Sequence, residues 1–111
     1  MLARTYRLRK NSDFQRLYKS GKRFASANLA FYFAPSNMEY SQIAFVVSKK
    51  VAKSAVIRNT LRRRVSAIVE QNFASIKYPV KAIILIRKDF STIKPADLQI
   101  EVEGLIKGIL A

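Results

Sequence analysis

Val56–Ser66 reads VIRNTLRRRVS, with four arginines (Arg58, Arg62, Arg63, Arg64) falling within seven residues. Apolar residues recur among them at helical spacing. At about 100° per residue, Ile57, Leu61, Val65, Ile68, Val69, Asn72 and Ile76 share one side of a helix running from about Ser54 to Ile76. Asn59, Arg62, Arg63, Ser66 and Glu70 gather on the opposite side, and Arg58 and Arg64 flank the stripe. A disordered basic tail would not keep such a stripe in step. The stretch is expected to pack on a core while most of its cations face outward.

Working outward from this helix, Gln42–Ser48 alternates Ile43, Phe45 and Val47, which predicts a strand. Lys81–Lys88, KAIILIRK, is a continuous apolar run of the kind found in a central strand buried on both faces. Strand, long helix and strand over residues 43–86 therefore imply at least one parallel pairing. Upstream, Phe24–Ala34 reads as another strand with Leu29, Phe31 and Phe33 on one face, and Phe31, Phe33 and Phe45 are assigned to the core. Pro35, Ser36 and Asn37 break it, and a hairpin to Gln42–Ser48 is predicted. Ser12 and Gln15 form a capping box for a short helix, Asp13–Ser20, that stops at Gly21. Pro95 opens a last helix whose apolar stripe is Leu98, Val102, Leu105, Ile106 and Ile109. Residues 1–10 read as an extended, flexible basic arm. The order helix, strand, strand, helix, strand, helix describes an α+β or α/β sandwich. It has a mixed central sheet, a crossover helix and a sheet covered on one side, all within one domain spanning residues 1–111.

Half of the 111 residues are hydrophobic and only three are glycine and three proline, so the chain is expected to fold. With 21 Lys+Arg against 7 Asp+Glu, its net charge is +14, which calls for a polyanionic partner. Nucleic acid fits better than a membrane, because no apolar run approaches the roughly 20 residues of a bilayer span. The basic start MLARTYRLRK also lacks the features of a signal peptide. The absence of cysteine removes disulfides and thiolate metal sites and fits a cytoplasmic protein. No histidine is present for proton transfer near neutral pH. The acidic residues are scattered, and Asp97 and Glu101, spaced i,i+4, read as a solvated helix face rather than a metal site. No self-sufficient active site is visible.

Two features suit nucleic acid. Arginine's planar fork matches phosphate, and Asn59 is able to bond a base edge or a sugar. Further charge comes from Arg4, Arg7, Arg9, Lys10, Lys22, Arg23, Lys49, Lys50 and Lys53. Among the aromatics, Tyr32 lies on the strand face opposite Leu29, Phe31 and Phe33, together with Ser26, Asn28 and Ala30, and is placed to stack on unpaired bases. Phe14 and Tyr18 are i,i+4 on the first helix. Phe14 fits base stacking or helix-to-sheet packing equally well, and Phe73 lies off the helix stripe with no role assigned.

These residues together resemble the protein subunit of bacterial ribonuclease P. RLRKNSDFQRLYKSGKRF resembles that family's opening segment, FVVSKKVAKSAVIRNTLRRRV its signature, and AIILIRKDF the strand that follows. The resemblance implies a fold like the second domain of ribosomal protein S5, with a left-handed crossover. It also implies a cytoplasmic protein that binds, one per RNA, a catalytic ribonuclease P RNA. That RNA, with Mg2+ held mainly by itself and the substrate, hydrolyses precursor tRNA to remove the 5′ leader. By motif, Arg58, Asn59, Arg62 and Arg63 would contact the RNA, with Ser48, Lys49, Lys50 and Lys53 nearby. Phe14, Tyr18 and Tyr32 would line a cleft for the single-stranded leader. The chain departs from the family pattern at Thr60, where an arginine is usual, at Tyr18, where phenylalanine is common, and at Ala52-Lys53-Ser54, where many members have glycine. A ribosomal protein or RNA chaperone remains the alternative. A DNA-binding protein is also compatible with the charge, and an autonomous nuclease is disfavoured by the missing histidines and clustered carboxylates.

Overall fold

The computed structural model describes residues 6–73, 76, 78–89 and 93–110. Three helices and four strands follow one another as α1 (Asn11–Ser20), β1 (Lys22–Ala25), β2 (Leu29–Pro35), β3 (Gln42–Val47), α2 (Ala55–Asn72), β4 (Val80–Ile86) and α3 (Pro95–Leu110). The strands form one mixed sheet in the order β1-β2-β4-β3. β4 pairs antiparallel with β2 and parallel with β3.

β4 lies inside the sheet and is buried on both sides. Ile83 on one face and Ile84 on the other are 0% and 1% exposed, each burial contributing about 1.5–3 kcal/mol. This placement overturns the predicted hairpin between the second and third strands. β2 and β3 are the two arms of that hairpin, prised apart by β4. Strands two apart lie only about 10 Å from one another, a gap that the Ser36–Ser41 connection spans. The Ser41 hydroxyl accepts from Val80 N at 3.0 Å and ties the start of β4 to that connection.

The predicted strand Phe24–Ala34 is two strands. β1 and β2 pair antiparallel, with Arg23 opposite Tyr32 and Phe24 opposite Phe31. The turn between them is held by Glu101 of α3, which accepts from the Ser26 hydroxyl, from Asn28 N at 3.0 Å and from Asn28 Nδ2 at 2.8 Å. Ser26 and Asn28 are thus structural anchors, not neighbours of Tyr32 on a strand face. Glu101 is half-buried and bonded, not part of a solvated face.

One sheet face carries Leu29, Phe31, Phe33, Ile43, Val47, Ile84 and Ile86 and packs against α2 and α3. Leu61, Val65 and Val69 form the buried α2 stripe. Ser66, expected on the outward side, is wholly buried, because α3 packs along α2 and covers that flank. α2 is capped by Ser54, whose side chain accepts from Ile57 N at 3.4 Å. It ends at Asn72, short of Ile76, and residues 74, 75 and 77 lie outside the described residues. In α3, Leu98, Val102, Leu105 and Ile106 are buried as expected, and the Ile109 side chain lies outside the described residues.

The sheet is also covered in part on its second face, against expectation. Leu17 of α1 and Leu8 pack there on Ala44 and Ile83. Of the predicted basic arm, residues 1–5 lie outside the described residues. Tyr6–Lys10 do not extend freely. Arg7 bridges Ile43 in parallel, Leu8 N donates to Ile43 O at 3.2 Å, and Leu8 is buried. α1 begins earlier than predicted, with Lys10 rather than Ser12 at its N-cap and no side-chain cap bond. Ser12 therefore sits inside the first turn, where no capping box can form. Gly21 ends the helix with φ −70°, so left-handed backbone is not the reason for glycine. A Cβ at Gly21 would lie 2.6 Å from Leu17 O, and the close approach excludes any other residue.

Candidate nucleic-acid interface

α1 lies across β2 and β4 on the second face and leaves part of that face open. Its seat is fixed by apolar packing of Leu17 and by an ion pair between Lys81 Nζ and the buried Asp13 at 3.1 Å. These contacts set where Phe14 and Tyr18 stand over the sheet. The Tyr18 and Tyr32 rings meet edge-to-face, centroids 4.9 Å apart and planes at 70°. Arg23 Nε donates to the Tyr32 hydroxyl at 3.2 Å, and its guanidinium carbon lies 5.7 Å from the ring centre. Burial, reinforced by Tyr32, raises the Tyr18 pKa above the usual 10.0, so Tyr18 is a neutral phenol at physiological pH. Tyr18 remains 44% exposed and Tyr32 half-buried, leaving aromatic surface open beside a cation.

Phe14 stands at another part of this face. It packs on Leu8, Leu17, Ala44 and Ile83 and also lines a groove of about 230 Å³ with Arg9, Phe45, Val46 and Arg62. Phe14 therefore packs helix to sheet with part of its ring, while the rest stays accessible. The groove brings Phe14 of the expected cleft together with Arg62 of the basic helix, which a sequence separation of 48 residues concealed.

On α2 the basic residues divide by geometry. Arg63 is exposed. Arg62 Nη1 donates to Asn59 Oδ1 at 2.7 Å, which orients the guanidinium. Arg58 is half-buried and turns back, with Nη1 donating to the carbonyls of Ala52 and Lys53 at 2.8 Å each. Thr60 bonds the Val56 carbonyl of its own helix at 2.9 Å and supplies no cation. Ser48, Lys49, Lys50 and Lys53 are exposed on the segment joining β3 to α2. Phe73, unassigned from sequence, packs 5.1 Å from the Tyr6 ring, which in turn meets Tyr40 edge-on at 5.4 Å.

Sequence reasoning missed Arg23 as a companion of Tyr32. Alternation across a single long strand hid it, although the Ser-Ala-Asn interruption at residues 26–28 was the available signal for a hairpin. The Asp13–Lys81 pair left no signal, because nothing in the sequence relates those positions.

Among the described residues, no group of three or more His, Cys, Asp or Glu side chains is placed to hold a metal ion. Asp13 and Glu101 are both engaged by protein partners. Neither carboxylate is therefore placed to hold Mg2+. No helix among the described residues is long and apolar enough to cross a membrane.

The fold and these surfaces define a class: a strongly basic α+β protein whose mixed four-stranded sheet displays an aromatic face beside an arginine-bearing crossover helix. The sequence pattern of the family described as Ribonuclease P matches residues 2–110. A ribonuclease P protein component from Clostridioides difficile is 36% identical over 107 residues, covering 94% of this chain and 91% of its own length. The ribonuclease P protein of Thermotoga maritima has a similar structure, with a TM-score of 0.82, 28% identity, and coverage of 91% of this chain and 94% of that one. That of Staphylococcus aureus is similar with a TM-score of 0.81, 27% identity, and coverage of 92% and 93%. The chain belongs to the ribonuclease P protein family.

Proposed function

We propose that this chain is the protein subunit of a cytoplasmic ribonuclease P, binding the ribonuclease P RNA and the single-stranded 5′ leader of precursor tRNA. Family membership supports this reading over a ribosomal protein or general chaperone. The observation that carries it is a groove along the edge strand β3 that both Arg62 of the basic helix and Phe14 of the aromatic face line. Of the α2 arginines, Arg62 reaches this groove, and the Tyr18–Tyr32–Arg23 cluster occupies the same sheet face as Phe14.

In this reading Arg62, Arg63, Lys49, Lys50 and Lys53 meet the phosphates of the catalytic RNA. Each neutralised phosphate releases counterions, which makes assembly steeply salt-dependent. Unpaired leader bases stack against the aromatic face, where a stack contributes about 1–3 kcal/mol per base. Single-stranded RNA suits such a face because its bases are free to splay out. Hydrolysis of the phosphodiester, with water as nucleophile, belongs to the partner RNA and the Mg2+ held by it and the substrate. The protein contributes binding and orientation in a complex of one protein per RNA.

Replacing Arg62 and Arg63 together by alanine tests the helix assignment. The double variant is expected to stay folded, bind a bacterial ribonuclease P RNA more weakly, and lower the magnitude of the log–log salt slope by about 2. An unchanged slope would remove the helix from the interface.

A further inference from the structure

β3 ends at Val47 and α2 begins at Ala55, and the segment between them exposes Lys49, Lys50 and Lys53. Three ammonium groups this close repel one another, so the segment needs internal fastening to hold one shape. Part of it is local. The Ser48 carbonyl accepts from Val51 N at 3.1 Å and Ala52 N at 3.4 Å, and Ala52 is buried. The rest comes from the helix, because Arg58 Nη1 reaches back to the carbonyls of Ala52 and Lys53, both at 2.8 Å. A terminal guanidinium nitrogen carries two hydrogens, and both are used on protein backbone.

We infer that Arg58 is a positioning residue for RNA binding. It fastens the lysine segment to α2, and its contribution passes through Lys49, Lys50 and Lys53 rather than through a phosphate of its own. The inference rests on the RNA-binding reading above and separates Arg58 from the contacting residues among which its motif places it. Arg62 and Arg63 sit one turn further along the same helix, so Arg58 holds the two groups of cations in fixed relation. A segment fastened before binding loses less freedom when RNA arrives, which is where the gain in affinity originates.

The test is a double-mutant cycle on affinity for a bacterial ribonuclease P RNA, with Arg58→Met, the triple change Lys49→Ala/Lys50→Ala/Lys53→Ala, and their combination. Methionine keeps the apolar stem and removes the donors. Arg58→Met is expected to weaken binding about tenfold in the native background, on the scale of a few side chains left to be ordered. With the three lysines already removed it is expected to cost less than about twofold, because no cations remain for it to place. Equal losses in both backgrounds would make Arg58 a direct contact and overturn the inference, as would no loss in the native background. If Arg58→Met does not fold, as judged by circular dichroism and thermal melting, the same cycle with Arg58→Gln gives the same two readings. A native protein that binds ribonuclease P RNA no better than an unrelated RNA of equal length would fail differently, removing the RNA-binding reading itself and this inference with it.

Discussion

Truncating Tyr32 to alanine separates what the aromatic face does for the fold from what it does for a substrate. In the free protein the change removes the edge-to-face contact with Tyr18, worth about 0.5–1.5 kcal/mol. It also removes the exposed bond from Arg23, at the low end of about 0.5–1.5 kcal/mol. The half-buried ring also gives up its packing on the cluster of Leu17 and Ile83. The combined destabilisation is about 2–4 kcal/mol, less than a full core truncation and below the stability of a typical domain at 25 °C. In the holoenzyme the loss of one stacked base costs about 1–3 kcal/mol, a drop of roughly 5- to 150-fold in affinity for precursor tRNA. Mature tRNA has no leader, so its affinity should stay within about twofold of native. Tyr32→Phe keeps the ring and loses only the hydroxyl, and is expected to retain most of the precursor preference. The assay is equilibrium binding of reconstituted holoenzyme to 5′-labelled precursor and mature tRNA at fixed salt. Equal weakening of both RNAs by Tyr32→Ala would refute the cleft assignment. A Tyr32→Phe protein as impaired as Tyr32→Ala would refute stacking as the source of the preference.

Three further outcomes follow from the packing. Leu61→Ala, at a position with no exposed surface, should cost about 2–5 kcal/mol in urea unfolding, and a cost below about 1 kcal/mol would contradict its place in the core. Glu101→Ala should cost about 1–3 kcal/mol by leaving the β1–β2 turn without its acceptor, with faster hydrogen exchange at the Asn28 amide as the local sign. The raised Tyr18 pKa stabilises the neutral phenol in the fold. Its contribution is fully present below about pH 10, the unfolded value, and is lost as pH rises from there through the folded pKa. The difference in stability between native protein and Tyr18→Phe should therefore be flat from pH 7 to 9 and change above pH 10. A difference that stayed constant to pH 11 would contradict the burial of that hydroxyl.

The most legible parts of the molecule were those where one periodicity dominated. Ile83 and Ile84 announced a two-sided central strand, and Leu61, Val65 and Val69 announced the buried side of α2, because burial on a regular element repeats at its own period. What stayed hidden was long-range. The hairpin between β2 and β3 was a sound local expectation, but the strand best able to bury both faces displaced it, and local sequence carries no record of such an insertion. Ser66 looked polar and outward until α3 covered it. Ser26 and Asn28 looked like cleft neighbours of Tyr32, yet they belong to a turn anchored by Glu101, 73 residues beyond Asn28. The candidate site divided along the same line. Phe14, Tyr18, Tyr32 and the basic helix were visible as residue types at suggestive spacings. The inward turn of Arg58, the orienting of Arg62 by Asn59 and the presence of Arg23 at Tyr32 required coordinates, since a side chain's direction is set by partners the sequence does not name.

The most direct measurement is cleavage of a precursor tRNA in Mg2+ at low salt, comparing protein alone, a bacterial ribonuclease P RNA alone, and the two together. A protein that acts as a substrate-positioning subunit predicts cleavage at the mature 5′ end that appears or rises strongly only when both are present, and none from the protein alone. Cleavage by the protein alone, or no stimulation across several partner RNAs that it binds tightly, would contradict the account.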